Sequence, residues 1–261
     1  MFSEEHKLYL KKIKKKKLFI RFIQLLILII FIIIWQLLAD FKLINTFISS
    51  SPKMVVDTLI SLHKTDLYKH IFVTVYETII SFSLGTILGF LVASILWWNE
   101  TLKKIIDPYL TIINSLPKVA LGPIIIIWFG AGIKSIIIMS LLISVIITII
   151  NCTTSFDETD SNKLKLMKSL KASKIQTFTK LVVPSSINDI ISSLKINISM
   201  SLIGVIMGEF LVSKEGLGYL IMYGSQVFNL NLVVTGIILL CIISAIMYYI
   251  VLYIEKKLVK N

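Results

Sequence analysis

Four ionisable side chains, Glu77, Lys118, Lys195 and Glu209, stand inside long runs of isoleucine, leucine, valine and phenylalanine. A charge in hydrocarbon is costly unless it is paired, hydrated or drawn to the headgroups, so each is a candidate for handling an ion or a solute. Lys195 sits near one end of its run, where its stem can snorkel to the headgroups. Lys118 follows Pro117 near the middle of its run and has two dispositions open to it. It can line a water-filled pathway, where its field favours anions, or it can form a structural pair. Glu209 is a candidate partner, although the two differ in depth along their runs. Pro117 and Pro123 each remove a backbone hydrogen bond from the same run. Broken backbone at membrane depth is tolerated where protein or a cavity satisfies it, which makes both prolines candidate pathway residues or packing kinks. Asn197, Ser201 and Gly204, with Ser199 and Gly208, give the run of Glu209 the small and polar residues of a close helix seam or a shared pathway.

Other chemistries lack their residues. There is no G-x-x-x-x-G-K-[ST] loop to cradle a nucleotide, no H-E-x-x-H and no G-x-S-x-G. Cys152 and Cys241 have no spacing for a metal or a disulfide, and His6, His63 and His70 lack a second ligand. These absences argue against an enzyme, and no catalytic residue, no metal and no directly bound cofactor is expected.

The segment NKLKLMKSLKASKIQTFTKLVVPSS, residues 162–186, is different in kind: six lysines and no acidic residue. Leu164, Met167 and Leu170 recur at helical spacing with Lys165 and Lys168 on the other face. Ser173 and Gln176 fit a capping box. Ile175, Phe178 and Val182 continue an apolar stripe, and Pro184 ends the pattern. The expected structure is helix, turn near Lys171–Ala172, helix. An interfacial helix on anionic lipid and a docking helix for a soluble partner both use such a pattern, and periodicity leaves the two open.

These residues need long helices to carry them. Of the 261 residues, 56% are hydrophobic, above the roughly 45–50% of soluble domains. Six runs reach the ~20 residues a membrane-crossing helix needs: 19–39, 71–97, 109–129, 135–151, 187–212 and 232–254. The first is too long for a signal-peptide core and no cleavage site comes after it, so it reads as an uncleaved span. The third and fourth are joined only by GAGIK and form a tight hairpin. The formal net charge of +12 lies in short segments between runs, which argues against nucleic acid as a partner. The lysines of the N-terminal tail, of the loops after the second and fourth spans and of the C-terminus, Lys260 included, fall on one side. The excess places both termini and the 152–186 loop in the cytoplasm of a multi-pass cell-membrane protein.

Three blocks carry a resemblance: SSPKMVVDTL (50–59), DPYLTIINSLPKVALGPIIIIWFGAGIKS (107–135) and GEFLVSKEGLGYLI (208–221). In order and on these spans, the chain resembles the transmembrane permease subunits of bacterial ATP-binding-cassette importers, most closely the nitrate/sulfonate/taurine branch. Residues Pro117, Ala120, Pro123, Trp128, Phe129, Gly130, Gly132 and Ser135 fall where the family pattern puts them, as do Glu209, Gly216, Leu217 and Gly218. The resemblance implies an all-α integral membrane protein of type I importer fold, with a basic tail over 1–17 and one six-span domain over 18–261. It implies a coupling loop, here 152–186, that docks on a separate ATPase subunit. That assigns coupling to Leu164, Lys165, Met167, Lys168, Leu170, Lys171, Ala172, Ser173, Gln176, Phe178 and Pro184. It also implies a lipid-anchored or extracellular binding protein, a second copy of the chain and ATP used only by the partner. The solute would be a small anion such as a sulfonate, taurine or nitrate, with a thiamine precursor or ion-coupled secondary transport as alternatives. The chain departs from the family's E-A-A-x-x-x-G coupling pattern, with Lys165, Leu166 and Met167 for E-A-A and Lys171 for the glycine. At Lys171 a positive φ would cost about 1 kcal/mol or more. Glu77 and Lys195 stand where the family usually has arginine.

Overall fold

The computed structural model describes residues 4–258, which leaves Lys260 outside the described residues, and the described chain is helical with no strand. Helix α1 spans Glu4–Asp40. Its 37 residues are about 55 Å of helix, well beyond the ~30 Å hydrocarbon layer. Residues 4–17 of the basic tail are therefore the first part of α1. At its far end Lys42 takes φ 55° while Leu43 N–H bonds Leu38 O at 2.9 Å. This is the left-handed stop that closes many helices.

Residues 40–70, between the first two apolar runs, hold two short helices, α2 (Thr46–Ser49) and α3 (Pro52–His63). Asn45 caps the first, and Ser51 Oγ, followed by Pro52, caps the second, a combination that starts a helix wherever the chain offers it. The Gln36 side chain accepts from Lys53 N at 3.0 Å and ties α3 to α1.

The body is built on α4 (Leu67–Trp98), α7 (Ile133–Asp157) and α10 (Val183–Val212). Helix α7 lies between the other two. Lipid tails offer no hydrophobic drive for helices to associate, so close backbone approach has to come from small residues. On α4, Gly85 and Gly89 face Ser144 and Thr148 of α7; on α10, Gly204 and Gly208 face Ser140 and Ile136. A Cβ on Gly208 would lie 2.8 Å from the Ile136 Cα, a distance that only glycine permits. Ser140 Oγ donates across the seam to Ser201 O at 2.8 Å.

The third span differs from a single kinked helix over 109–129. Helix α5 (Glu100–Ser115) already contains Lys103 and Lys104, and Pro108 lies inside it. After a 3-10 turn at Lys118–Leu121, α6 (Gly122–Phe129) leaves at 89° to α5. Pro117 precedes the turn, whereas Pro123 sits in the first turn of α6, where its missing N–H costs nothing. So Pro117 marks a break and Pro123 starts a helix; neither bends one continuous span. Gly130 and Gly132, at φ 82° and 148°, make the short turn into α7 that GAGIK predicts.

Past α7 come α8 (Ser161–Ser169), α9 (Lys174–Thr177) and a π turn, Phe178–Val182, that runs into α10. Helices α11 (Leu217–Gln226) and α12 (Leu230–Leu258) complete the chain. Five helices among the described residues are long and apolar enough to cross a membrane, and the broken α5/α6 pair makes a sixth.

Candidate functional site

The basic segment folds as a braced helix–turn–helix. Asp160 Oδ1 accepts from Asn162 N at 2.8 Å and starts α8. Lys171, at φ 52°, ends it: Lys171 N bonds Lys168 O and Ala172 N bonds Met167 O, each at 3.0 Å. That pair of bonds is the Schellman stop, built here on lysine where glycine is usual. The capping box forms: Ser173 N donates to Gln176 Oε1 at 2.8 Å, and Gln176 N donates to Ser173 Oγ at 3.2 Å. Gln176 is thus spent within the turn. Pro184 does not end the pattern, because the helix continues without a stop from Lys174 to Val212. The wide π turn just before Pro184 absorbs the bond its missing N–H would break and the crowding of its ring.

The expected apolar stripe divides between two faces. Phe178 and Val182 are buried, and Leu164 packs on the same core as Cys152 and Phe156. The Phe178 ring lies 4.8 Å from Trp97, 5.6 Å from Trp98 and 5.4 Å from Phe156, centroid to centroid. Phe178 therefore wedges the segment onto α4 and α7 and cannot meet a partner. Lys174 is also used internally, donating to Trp98 O with its ammonium 5.9 Å from the Trp97 ring centroid. An ion pair between Lys103 and Asp157 ties α5 to the end of α7. Facing outward are Lys163, Lys165, Lys168 and Lys171, with Leu166 58%, Leu170 69% and Ile175 62% exposed. Leu166 belongs to this outer face although periodicity did not select it, and Ile175 belongs there although it reads on one stripe with Phe178. Trp97 and Trp98 were missed too; two adjacent tryptophans at the end of a span are the available signal.

At the opposite end of α10, Glu209 is 1% exposed and fully engaged. Thr74 Oγ1 donates to its Oε1 at 2.6 Å, and Gly218 N donates to its Oε2 at 2.5 Å. Thr74 Oγ1 in turn accepts from Leu217 N at 2.8 Å, and His70 Nδ1 accepts from Gly216 N at 2.9 Å. The start of α11 is thereby fastened to α4 and α10. Gly216 has φ +104°, and a Cβ there would overlap the Glu209 carboxyl group. Glu77 is also 1% exposed, and its Oε2 has no hydrogen-bond partner among the described residues.

Several charge assignments change. Glu209 does not pair with Lys118, whose ammonium donates to Asn114 O at 2.6 Å across the α5/α6 break. Lys195 does not snorkel freely; it pairs with Glu255 of α12 at 3.0 Å, and Ser192 donates to the same carboxyl group at 2.9 Å. Asn197, Ser201 and Gly204 are buried between the helices, Asn197 beside a cavity of about 230 Å³. Asn197 donates to Thr86 Oγ1 at 2.7 Å, and Ser201 and Gly204 lie in the α7 seam. Pro117 and Pro123 are exposed and Lys118 is half-buried. An open groove of about 690 Å³ between α10 and α12, lined by Leu202, Ile206, Leu240 and Tyr248, is apolar.

Residues 85–260 match the family described as binding-protein-dependent transport system inner membrane component. A probable ABC transporter permease protein of Haemophilus influenzae is 30% identical over 86% of this chain and 91% of its own length. The formylaminopyrimidine transport permease of Halalkalibacterium halodurans is 29% identical over 72% and 74%. An aliphatic sulfonates transport permease of Bacillus subtilis is 24% identical over 88% and 84%. Among solved structures, the inward-facing MetNI methionine ABC transporter superposes with a TM-score of 0.62 at 15% identity, covering 75% of this chain and 97% of that one. The fold is that of the type I importer permeases.

Proposed function

We propose a mechanism for a chain that belongs to the family of binding-protein-dependent transport system inner membrane components and is thus a permease subunit of an ATP-binding-cassette importer. The observation that carries the mechanism is the braced segment 161–182, with Leu166, Leu170 and Ile175 exposed on a helix–turn–helix whose other face is locked to the body. An ATPase subunit docks on that outward face. Closure of the ATPases on ATP pushes α8 and α9. Because Phe178 is wedged among Trp97, Trp98 and Phe156, the push passes to α4 and α7 together and, through the π turn, into α10. Two copies of the chain form the pathway, and a binding protein delivers the solute to the outer face. Lysine bias sets both termini and the docking segment in the cytoplasm.

The pathway wall nearest the chemistry is the α5/α6 break after Pro117, where irregular backbone within an apolar run has to be buried in protein or line a polar cavity. Lys118 there favours a small anionic solute, in keeping with a relative named for aliphatic sulfonates. The similarity to a formylaminopyrimidine permease supports a second reading, a small heteroaromatic metabolite of the thiamine-precursor kind. The test is uptake by proteoliposomes holding the chain, its ATPase and its binding protein. ATP-dependent accumulation of a sulfonate supports the first reading. ATP-dependent accumulation of the aminopyrimidine alone supports the second, and uptake driven by an ion gradient without ATP refutes the mechanism.

A further inference from the structure

Helix α8 carries charges that its own stability does not explain. Lys163 and Lys165 stand in its first turns, where the positive end of the helix dipole repels cations. Lys165 and Lys168, and then Lys168 and Lys171, are three residues apart on one helix and its cap, the spacing at which like charges destabilise each other. No acid lies between residues 161 and 188. Just before α8, Asp160 is occupied as its cap and Asp157 by Lys103; Glu158 is the one other acid there. None of the four outward lysines has an ion-pair partner among the described residues. Of the segment's other two lysines, Lys174 serves the fold through Trp98, and Lys180 lies exposed in the π turn.

The outward face is also mixed. A helix lying on lipid turns one apolar face to the acyl boundary and keeps its cations at the flanks. Here Leu164 packs on the protein's core and Met167 is half-buried, and Lys165 shares the outward face with Leu166 and Leu170. An apolar pair flanked and interrupted by lysines fits a cleft that offers apolar contact at its floor and carboxylates around it.

We infer that the ATPase partner of this chain receives α8 in a cleft rimmed by aspartate and glutamate, and that Lys163, Lys165, Lys168 and Lys171 select that partner by charge. The inference rests on the importer reading of the chain. Specificity of this kind acts through complementary potentials and is screened by salt.

The experiment places the full chain in nanodiscs of phosphatidylcholine and titrates purified ATPase subunits of ABC importers from the same organism, one at a time. One subunit is expected to bind with an affinity that falls at least about tenfold between roughly 50 and 300 mM NaCl. Lys163→Glu, Lys165→Glu and Lys168→Glu combined should weaken it by a similar factor, and exchanging the acids of the subunit's cleft for lysine should restore binding. A Lys163→Gln, Lys165→Gln, Lys168→Gln chain that elutes as the parent does guards against a folding defect and should lose part of the affinity. A subunit that binds parent and reversed chains equally, whatever the salt, overturns the acidic cleft and leaves the importer reading standing. If no subunit binds, the importer reading fails first. A fluorophore at Lys165→Cys that is buried in phosphatidylglycerol discs but not in phosphatidylcholine discs then identifies a lipid anchor and overturns the inference.

Discussion

Glu209 is a residue whose type was readable and whose partner was not. A carboxylate in an apolar run has to be satisfied, and an ionisable partner is the natural search. The structure instead supplies a threonine and a backbone amide, Thr74 Oγ1 and Gly218 N. Thr74 carries no mark in the sequence, because a hydroxyl can satisfy itself on its own helix and usually does. Gly216 becomes intelligible only through the same cluster. Replacing it with alanine puts a Cβ into the Glu209 carboxyl group at a backbone φ of +104°. Strain and displacement of a buried acceptor together should cost about 2–4 kcal/mol. The thermal transition of the solubilised chain should drop accordingly; an unchanged transition would show that the clamp is slack. Lys171 gives the opposite sign. Its φ of 52° is a conformation glycine adopts freely, so Lys171→Gly should raise stability by up to about 1 kcal/mol. The family's glycine at that place made a positive φ costly for lysine, and the lysine adopts it nonetheless.

Among the elements, the capping box and the turn at Lys171–Ala172 were legible because both rest on local bonds. The faces of the second helix were not. Residues three apart on a helix stand about 60° from each other, so the edge of a stripe can face solvent while its centre is buried. Phe178 and Ile175, read as one stripe, point in different directions: one buried against Trp97, the other 62% exposed. This separates docking from transmission. Phe178→Ala empties an aromatic cluster and should cost about 3–5 kcal/mol. In a chain that still folds, it should leave ATPase binding intact while uptake per ATP hydrolysed falls severalfold. Leu170→Asp, on the outer face, should weaken ATPase binding and leave the thermal transition nearly unchanged. Binding and coupling assays run side by side would expose a wrong assignment if both variants failed in the same way. The break of the third span shows the same limit. Pro117 announced an interruption, but an angle of 89° is set by the packing of α6 on α7 and α10, where Gly122 meets Met139 and Leu211.

For the molecule as a whole, span number was readable from hydropathy, while the arrangement of spans rests on small residues that hydropathy ignores. Gly85, Gly89, Gly204 and Gly208 let α4 and α10 close on α7, and the aromatic wedge at one end and the Glu209 clamp at the other hold those three helices as one block. Such a block transmits a push only if its wedge faces the ATP and its clamp faces the solute, so the mechanism depends on orientation, and orientation rests on lysine bias alone. Labelling can decide it. Cys241 is exposed and Cys152 is buried; both would first be changed to serine. In intact cells, a membrane-impermeant maleimide should then modify Lys134→Cys, beside the Gly130–Gly132 turn, and should reach Lys165→Cys on α8 only after permeabilisation. The reverse pattern would put the docking face on the side without ATP. The helices would pack in the same way, yet no ATPase could reach Leu166, Leu170 or Ile175, and the wedge would have nothing to transmit.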